Sequence, residues 1–246
     1  VKDRSDRISL TAAHIAEAIG AGEETVEHAR RAGYLCKADL MSAMVNEFTD
    51  LQGVMGREYA TRAGEPAEVA TAIHEQYMPK GADGRAPETD AGSCIALAEK
   101  LDALVGCFGV GLVPTSAADP YALRRSALGC LRILQERAYS VSLPDLVRLA
   151  IATYDELDRG KLQKSAQDLE REILSFVGTR LKHQLSAEFP ADVVDAVLAV
   201  GLEDVLSVTD RVAALAKLRT EPDFDALAQG FKRVANIIRK QAADVS

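Results

Sequence analysis

The sequence predicts an all-α protein, and two observations support this fold class. Apolar residues recur at helical spacing through nearly the whole chain, without the alternation typical of strands. Aromatic residues make up only 5% of the 246 residues and tryptophan is absent, whereas Ala, Leu, Glu and Arg are abundant. A chain of this length can bury one large core or two smaller ones.

The first part of the chain is predicted to contain three helical stretches. The first covers 9–19, as one short helix or the end of a longer one, and closes at a glycine-rich turn. The second begins near Glu23 and keeps its apolar spacing as far as Phe48. Pro66 suits the first turn of a third helix, which should reach about Tyr77.

Two loops are predicted on either side of a long apolar helix. Segments 79–92 and 109–118 contain Pro and Gly but lack an apolar period. Asp119 is a capping acid and Pro120 suits the first helical position, so another helix should start there and run to about Tyr139.

Segment 140–142 is the best candidate for a domain boundary, which would divide the chain into 1–140 and 141–246. Three Pro-containing start signals follow this boundary. The helices predicted beyond it cover about 143–158, 165–186, 191–200, 203–217 and 223–241.

The charge of the chain excludes nucleic-acid binding through bulk attraction, because the formal net charge is -8. No apolar run approaches the roughly 20 residues that a membrane span requires. The four cysteines are scattered and the four histidines do not cluster, so zinc and disulfide readings are disfavoured. Neither a membrane nor DNA is expected as a partner.

Local basic stripes depart from this acidic background. Arg124, Arg125 and Arg132 belong to one predicted helix, with no acid between them. A second basic group lies near the end of the chain and comprises Lys232, Arg233, Arg239 and Lys240. Such stripes suit contact with RNA phosphates, although a solvated helix face or internal salt bridges would give the same pattern.

Two acids fall on apolar helix stripes. Asp102 lies four residues after Ala98 and three before Val105, and Asp39 lies four after Leu35. A buried carboxylate is unfavourable unless it is paired or bound to a metal. Asp39 and Asp102 therefore predict either a metal or acid/base site, or hydrogen-bonded acids with a structural role.

Several short segments of the sequence, taken in their order and spacing, resemble the β subunit of the bacterial heterotetrameric glycyl-tRNA synthetase. The most distinctive is Asp-Pro-Tyr-Ala-Leu-Arg-Arg at 119–125. The other segments lie at 37–41, 44–48, 51–56, 75–79, 98–106, 108–111, 127–129 and 232–238. The chain opens on Val1 rather than Met, and we interpret it as an internal piece of such a subunit.

The resemblance implies that residues 1–140 form a degenerate HD-like helical domain and that 141–246 form a second helical region. Active HD domains bind metal through His, a His-Asp pair and a distant Asp. Asp39 and Asp102 stand at two of these positions, but Ala38 replaces the histidine of the pair. The resemblance therefore implies no metal and no catalytic residue here, and structural roles for both aspartates. The alternative is a metal-dependent HD-type phosphohydrolase that uses them.

The resemblance also implies the partners. A separate α subunit carries the adenylation site and uses ATP and magnesium, so no cofactor is expected on this chain. The β subunit helps to hold tRNA(Gly) in the cytoplasm, and an anticodon-binding domain would follow this region. The chain is accordingly expected to contribute tRNA binding and scaffolding to glycine–tRNA ligation.

Overall fold

The computed structural model describes residues 1–81, 84–115, 118–157 and 160–243, except for the side chains of 225, 235–237 and 239–243. Over this part the protein is 71% helical and has no strand, so the predicted all-α class is confirmed. Its α-helices are α1 (Lys2–Ala18), α2 (Glu23–Leu35), α3 (Ala43–Glu47), α4 (Val54–Arg62), α5 (Ala67–Glu75), α6 (Asp90–Gly109), α7 (Leu123–Glu136), α8 (Leu143–Leu157), α9 (Ala166–Ser186), α10 (Ala191–Leu198), α11 (Val205–Leu218) and α12 (Phe224–Ala243).

Helix α6 lies at the centre of the fold. It packs against α1, α2, α5, α7, α8 and α9. Ile95, Leu101 and Phe108 are almost completely buried, and the buried positions run around the helix rather than along one stripe. Because buried positions surround the helix, α6 forms the axis around which the others pack.

The start of α6 is fixed by a buried acid on α5. Glu75 accepts hydrogen bonds from the backbone N–H groups of Glu88 and Thr89, at 2.8 and 3.2 Å. The Thr89 hydroxyl in turn accepts from the N–H of Gly92 and caps the helix. The loop predicted at 79–92 therefore ends three residues early, at Thr89, because Glu75 fixes the backbone of 88–89 and the Thr89 hydroxyl satisfies one of the free N–H groups at the start of α6.

Helices α1 and α2 approach each other through a glycine. A Cβ at Gly33 would lie 2.6 Å from the Cα of Ser9, closer than real carbon atoms come. The hydroxyl of Ser9 donates to the carbonyl of Arg30 at 2.7 Å across the same contact. Gly33 therefore sets the distance at which α1 can pack.

The continuous helix predicted from Glu23 to Phe48 is wrong. Helix α2 ends at Leu35, and a 3-10 turn over Ala38–Met41 and the short α3 replace its continuation. Met41 is 74% exposed, so its place in the apolar spacing was misleading.

The predicted start of α7 needs a smaller correction. Pro120 lies outside the helix, which begins at Leu123 because Ala122 has a left-handed backbone (φ 55°). Asp119 still caps the helix, since its carboxylate accepts from the N–H groups of Leu123 and Arg124 at 2.8 and 2.9 Å.

Helices beyond residue 142 follow the prediction closely, and α9 begins at Ala166 behind a Ser165 cap. An isolated bridge joins Ser142 to Asp204. The buried cluster that contains α6 continues into α8, α9, α10 and α11. The domain boundary at 140/141 remains a prediction.

Helix α12 is exposed at nearly all of the positions whose side chains the structure describes. Leu227, Phe231, Val234 and Ile238 recur at helical spacing and are between 48% and 68% exposed. Among the described residues, no helix combines the length and apolarity needed to cross a membrane.

Candidate functional site

Asp102 lies on α6 and is paired with two arginines of α1. The Nε of Arg7 lies 2.6 Å from Oδ1 of Asp102, and the Nε of Arg4 lies 3.2 Å from Oδ2. The first contact is a hydrogen bond, whereas Arg4 contributes charge without a well-aligned bond to this carboxylate. Because Asp102 and Arg7 are both buried, their charges compensate each other in a medium where either alone would be unfavourable.

A tyrosine of α8 completes this arrangement. The guanidinium of Arg7 stacks over the ring of Tyr154 at 4.1 Å, and the Tyr154 hydroxyl donates to the backbone carbonyl of Asp102 at 3.2 Å. Burial and the Asp102 charge raise the pKa of Tyr154, so the hydroxyl keeps its proton. Helices α1, α6 and α8 are therefore joined through one buried polar cluster.

Glu99 forms a second ion-pair group one turn earlier on α6. Its Oε1 lies 2.8 Å from Arg4 and 3.4 Å from the Nζ of Lys37, which also lies over the Tyr77 ring at 4.4 Å. Burial alone would raise the pKa of Glu99, but Lys37, Arg4 and Lys100 together hold it below its ordinary value. Glu99 therefore stays ionised and neutralises the cations around it.

Asp39 belongs to a different contact. Its Oδ2 accepts a hydrogen bond from the backbone N–H of Gly53 at 2.7 Å, while its Oδ1 is buried without a hydrogen-bond partner among the described residues. A Cβ at Gly56 would lie 3.2 Å from the same carboxylate, so that backbone also packs closely on it. Asp39 therefore braces the turn that leads into α4.

These residues do not fit the metal of an HD site. Arg7 already occupies the acceptor side of Asp102, and Ala38 provides no imidazole beside Asp39. The described part of the chain contains no group of three or more His, Cys, Asp and Glu residues placed to hold a metal. Carboxylates bound by guanidinium and amide donors are a poor ligand set for a transition metal.

A cleft of about 690 Å³ opens above the paired charges. Residues from α1, α6, α7, α8 and the loop after α5 line it. Its cationic side chains are Arg4, Arg7, Lys80, Lys100 and Arg125, its carboxylates are Asp50, Glu99 and Asp102, and its tyrosines are Tyr77, Tyr121 and Tyr154. Cations therefore outnumber carboxylates in this cleft, although the chain as a whole is acidic.

Most of these cations are occupied by the protein itself. Arg4 and Arg7 pair with α6, and the Nζ of Lys100 donates to the carbonyls of Met78 and Ala96 at 2.6 and 3.3 Å. Burial lowers the pKa of Lys100, which is consistent with its confined position.

Two cations at the edge of the cleft are exposed. Lys80 and Arg125 make no hydrogen bond and no ion pair with any described residue. They are therefore the cleft cations that remain available to an anion.

The predicted basic stripe of α7 divides into three environments. Arg124 donates to the carbonyl of Thr115, and the Nε of Arg132 lies 2.5 Å from Oε1 of Glu136. Arg125 alone of the three lacks such a contact within the described structure and lines the cleft. The stripe was visible in the sequence, but the cleft and the part of Lys80 in it were not.

The predicted basic residues of α12 lie elsewhere. Lys232 and Arg233 are exposed and do not line the cleft. The side chains of Arg239 and Lys240 lie outside the described residues. The structure thus brings Arg125 into the cleft and leaves the contacts of the second stripe as a prediction.

Comparison with known proteins identifies the family. A family model described as the glycyl-tRNA synthetase beta subunit matches residues 1–199. The chain belongs to the glycyl-tRNA synthetase β-subunit family. The resemblance inferred from the short sequence segments is therefore confirmed, whereas the likeness of residues 1–140 to an HD domain remains a prediction.

Individual relatives agree with this assignment. The chain is 48% identical over 209 residues to the glycine–tRNA ligase beta subunit of Geobacter sulfurreducens. The aligned residues make up 85% of this chain and 30% of that protein. It is 42% identical over 238 residues to the corresponding subunit of Trichlorobacter lovleyi, and these residues make up 97% of this chain and 34% of that protein. The chain therefore spans about a third of the length of these curated relatives.

Proposed function

We propose that this chain is a non-catalytic part of glycine–tRNA ligase that binds tRNA(Gly) and supports the assembly. The observation that carries this proposal is the family match over residues 1–199. Adenylation of glycine, with its ATP and magnesium, is assigned to a separate α subunit in the cytoplasm. Docking of that subunit on this chain is part of the proposal.

The contacts of the buried acids support a non-catalytic role. Asp102 and Glu99 are neutralised by Arg7, Arg4 and Lys37, and these groups in turn depend on the carboxylates. A general acid or a metal-bound water needs a group that is free to exchange a proton or a ligand. The alternative function, a metal-dependent phosphohydrolase that uses Asp39 and Asp102, is not favoured by this arrangement.

Arg125 supports the tRNA part of the proposal. It is exposed at the edge of a cleft whose cations outnumber its carboxylates, and no described residue occupies its guanidinium. Arginine recognises phosphate through two parallel hydrogen bonds, and phosphate contacts fix the position of RNA without reading its sequence. Lys232 and Arg233 are exposed in the same way on α12.

Binding of a tRNA(Gly) transcript to the 246-residue chain tests the assignment of Arg125. Arg125→Gln is expected to weaken binding and to reduce the dependence of log K on log salt by roughly one unit, because one phosphate contact is lost. Arg62→Gln is the matched control, since Arg62 is exposed in the last turn of α4 and has no described partner. Equal affinities and slopes for both variants and the parent would reject Arg125 as a tRNA contact.

A further inference from the structure

We propose that the cleft beside α7 takes a nucleotide of an unpaired RNA strand, with its phosphate on Arg125 and Lys80 and its base against the ring of Tyr121. This inference rests on the proposed function and names the part of the RNA that the cleft would hold.

The inner cations of the cleft are paired within the protein, whereas the two cations at its rim are paired with no described residue. Arg4, Arg7 and Lys100 are bound to carboxylates and carbonyls of the protein. Lys80 and Arg125 are exposed and have no described partner. An anion that enters the cleft would therefore bind at the rim, where no internal ion pair has to be broken.

Among the described contacts, the rings of two of the three cleft tyrosines carry a cation and the ring of the third carries none. The faces of Tyr77 and Tyr154 already carry Lys37 and Arg7. Tyr121 is 52% exposed, precedes α7 and makes no described ring contact. An exposed aromatic ring beside free cations is the combination that binds single-stranded nucleic acid, because every base has a face that can stack.

The size of the cleft suits one nucleotide, and a neighbouring groove extends it. At about 690 Å³ the cleft falls in the range of pockets that bury a small ligand. A second pocket of about 530 Å³ shares Pro79, Gly81 and Arg125 with it and runs along α7 to Arg132. Arg125 and Arg132 are two helical turns apart, or roughly 10 Å, so the groove offers a path for adjacent nucleotides.

Stacking of a base on the ring of Tyr121 requires an unpaired strand rather than a duplex. In an RNA helix the bases are stacked on each other, and the surface offers mainly phosphates and 2′-hydroxyls. A base can therefore stack on the ring of Tyr121 only when it is unstacked and turned out. A duplex could engage Arg125 and Lys80 but not Tyr121.

Fluorescence anisotropy with a labelled ten-nucleotide RNA tests this inference, with the same strand annealed to its complement for comparison. Tyr121→Ala in the 246-residue chain is expected to weaken single-strand binding on the order of tenfold and to leave its salt slope unchanged. Tyr121→Phe should retain binding, because the ring is kept. Duplex binding should be the same in all three proteins.

Two further variants separate the contributions. Arg125→Gln should reduce the single-strand salt slope by roughly 0.7 unit, which is the value of one phosphate contact to a single strand. Tyr59→Ala is the matched control for Tyr121, since Tyr59 is 40% exposed on α4 and does not line the cleft. It should bind RNA like the parent.

The outcomes distinguish the sources of the ligand. Single-strand binding that is tighter than AMP binding, with both weakened in Tyr121→Ala, supports the proposal. AMP binding that depends on Tyr121 and is as tight as single-strand binding would overturn it in favour of a free mononucleotide. Single-strand binding by Tyr121→Ala that equals that of the parent would also overturn it. The proposed function would still stand in that case if Arg125→Gln weakened tRNA binding.

Discussion

Arg7 and Asp102 lie 95 residues apart in the sequence and form a buried ion pair, with 2.6 Å between Nε and Oδ1. The pair joins α1 to the central helix α6 and forms part of the cleft floor. The family resemblance implied that Asp102 is the remnant of a metal site. Its carboxylate is instead bound by the guanidinium of Arg7, which is a structural contact.

Removal of Asp102 should destabilise the protein more than removal of Asp39. Asp102→Ala would remove the carboxylate that pairs with the buried guanidinium of Arg7, which costs roughly 3–5 kcal/mol. Asp39→Ala would leave one backbone N–H unsatisfied, at Gly53, and costs roughly 1–3 kcal/mol. Urea unfolding would measure both changes, and Asp145→Ala on the surface is the control. An Asp102→Ala protein as stable as the parent would contradict the structural role of the pair.

A methyl group at Gly33 should also be unfavourable, although alanine is the better helix former. The added Cβ would meet the backbone of Ser9 on α1, which cannot move aside as a side chain can. We expect Gly33→Ala to lose roughly 1–3 kcal/mol, as overpacked cores do. Gly178→Ala on α9 is the matched control, because its Cβ would make only an ordinary contact with Leu202. Thermal melts of the two variants should differ in sign or clearly in size.

Acid should remove the contribution of Glu99 to stability. The pKa of Glu99 in the folded protein lies below its ordinary value because Lys37, Arg4 and Lys100 outweigh the effect of burial. A lowered folded pKa gives stability that is present above the unfolded pKa of roughly 4.3 and is lost as the pH falls through the folded value.

The measurement is the difference in unfolding free energy between the parent and Glu99→Gln from pH 7 to pH 3. This difference should shrink as the pH falls below about 4. The exposed Glu188→Gln is the control, with a difference near zero throughout. A parent advantage over Glu99→Gln that persists at pH 3 would show that the ionised carboxylate is not the stabilising group.

The fold class and most later helices could be predicted from the sequence because local signals mark them. Ser165 caps α9 and Pro190 precedes α10, and each helix begins at or beside the predicted position. The break after Leu35 was missed because Met41 keeps the apolar spacing although it points to solvent. Periodicity records which residues are apolar, not which of them find a partner.

The candidate site could be predicted only in part. Asp39 and Asp102 are buried, as their positions on apolar stripes indicated, and Arg125 belongs to a visible basic stripe. Their partners could not be predicted, because Arg7 and Tyr154 reach Asp102 from distant parts of the chain. Those contacts depend on how α1 and α8 pack on α6, which no local spacing encodes.

We expect no phosphoester or nucleotide hydrolysis by the 246-residue chain. The two aspartates lack imidazole neighbours, and arginine or backbone donors already hold them. The assay is release of phosphate from nucleotides and from a chromogenic phosphodiester with manganese present. Manganese-stimulated activity that disappeared in Asp39→Ala and in Asp102→Asn would contradict the non-catalytic reading and revive the phosphohydrolase alternative.

The two half-reactions of the assembled α and β subunits, measured on one variant, test the central claim most directly. The claim is that this chain holds tRNA while the α subunit activates glycine. Arg125→Glu in the β subunit should lower kcat/KM for tRNA(Gly) in aminoacylation on the order of tenfold, because it replaces a phosphate contact with a repulsive charge. Glycine-dependent exchange of pyrophosphate into ATP should keep its parent rate, as should both reactions in Arg62→Glu. Parent-like aminoacylation, or a parallel loss of pyrophosphate exchange, would contradict the claim.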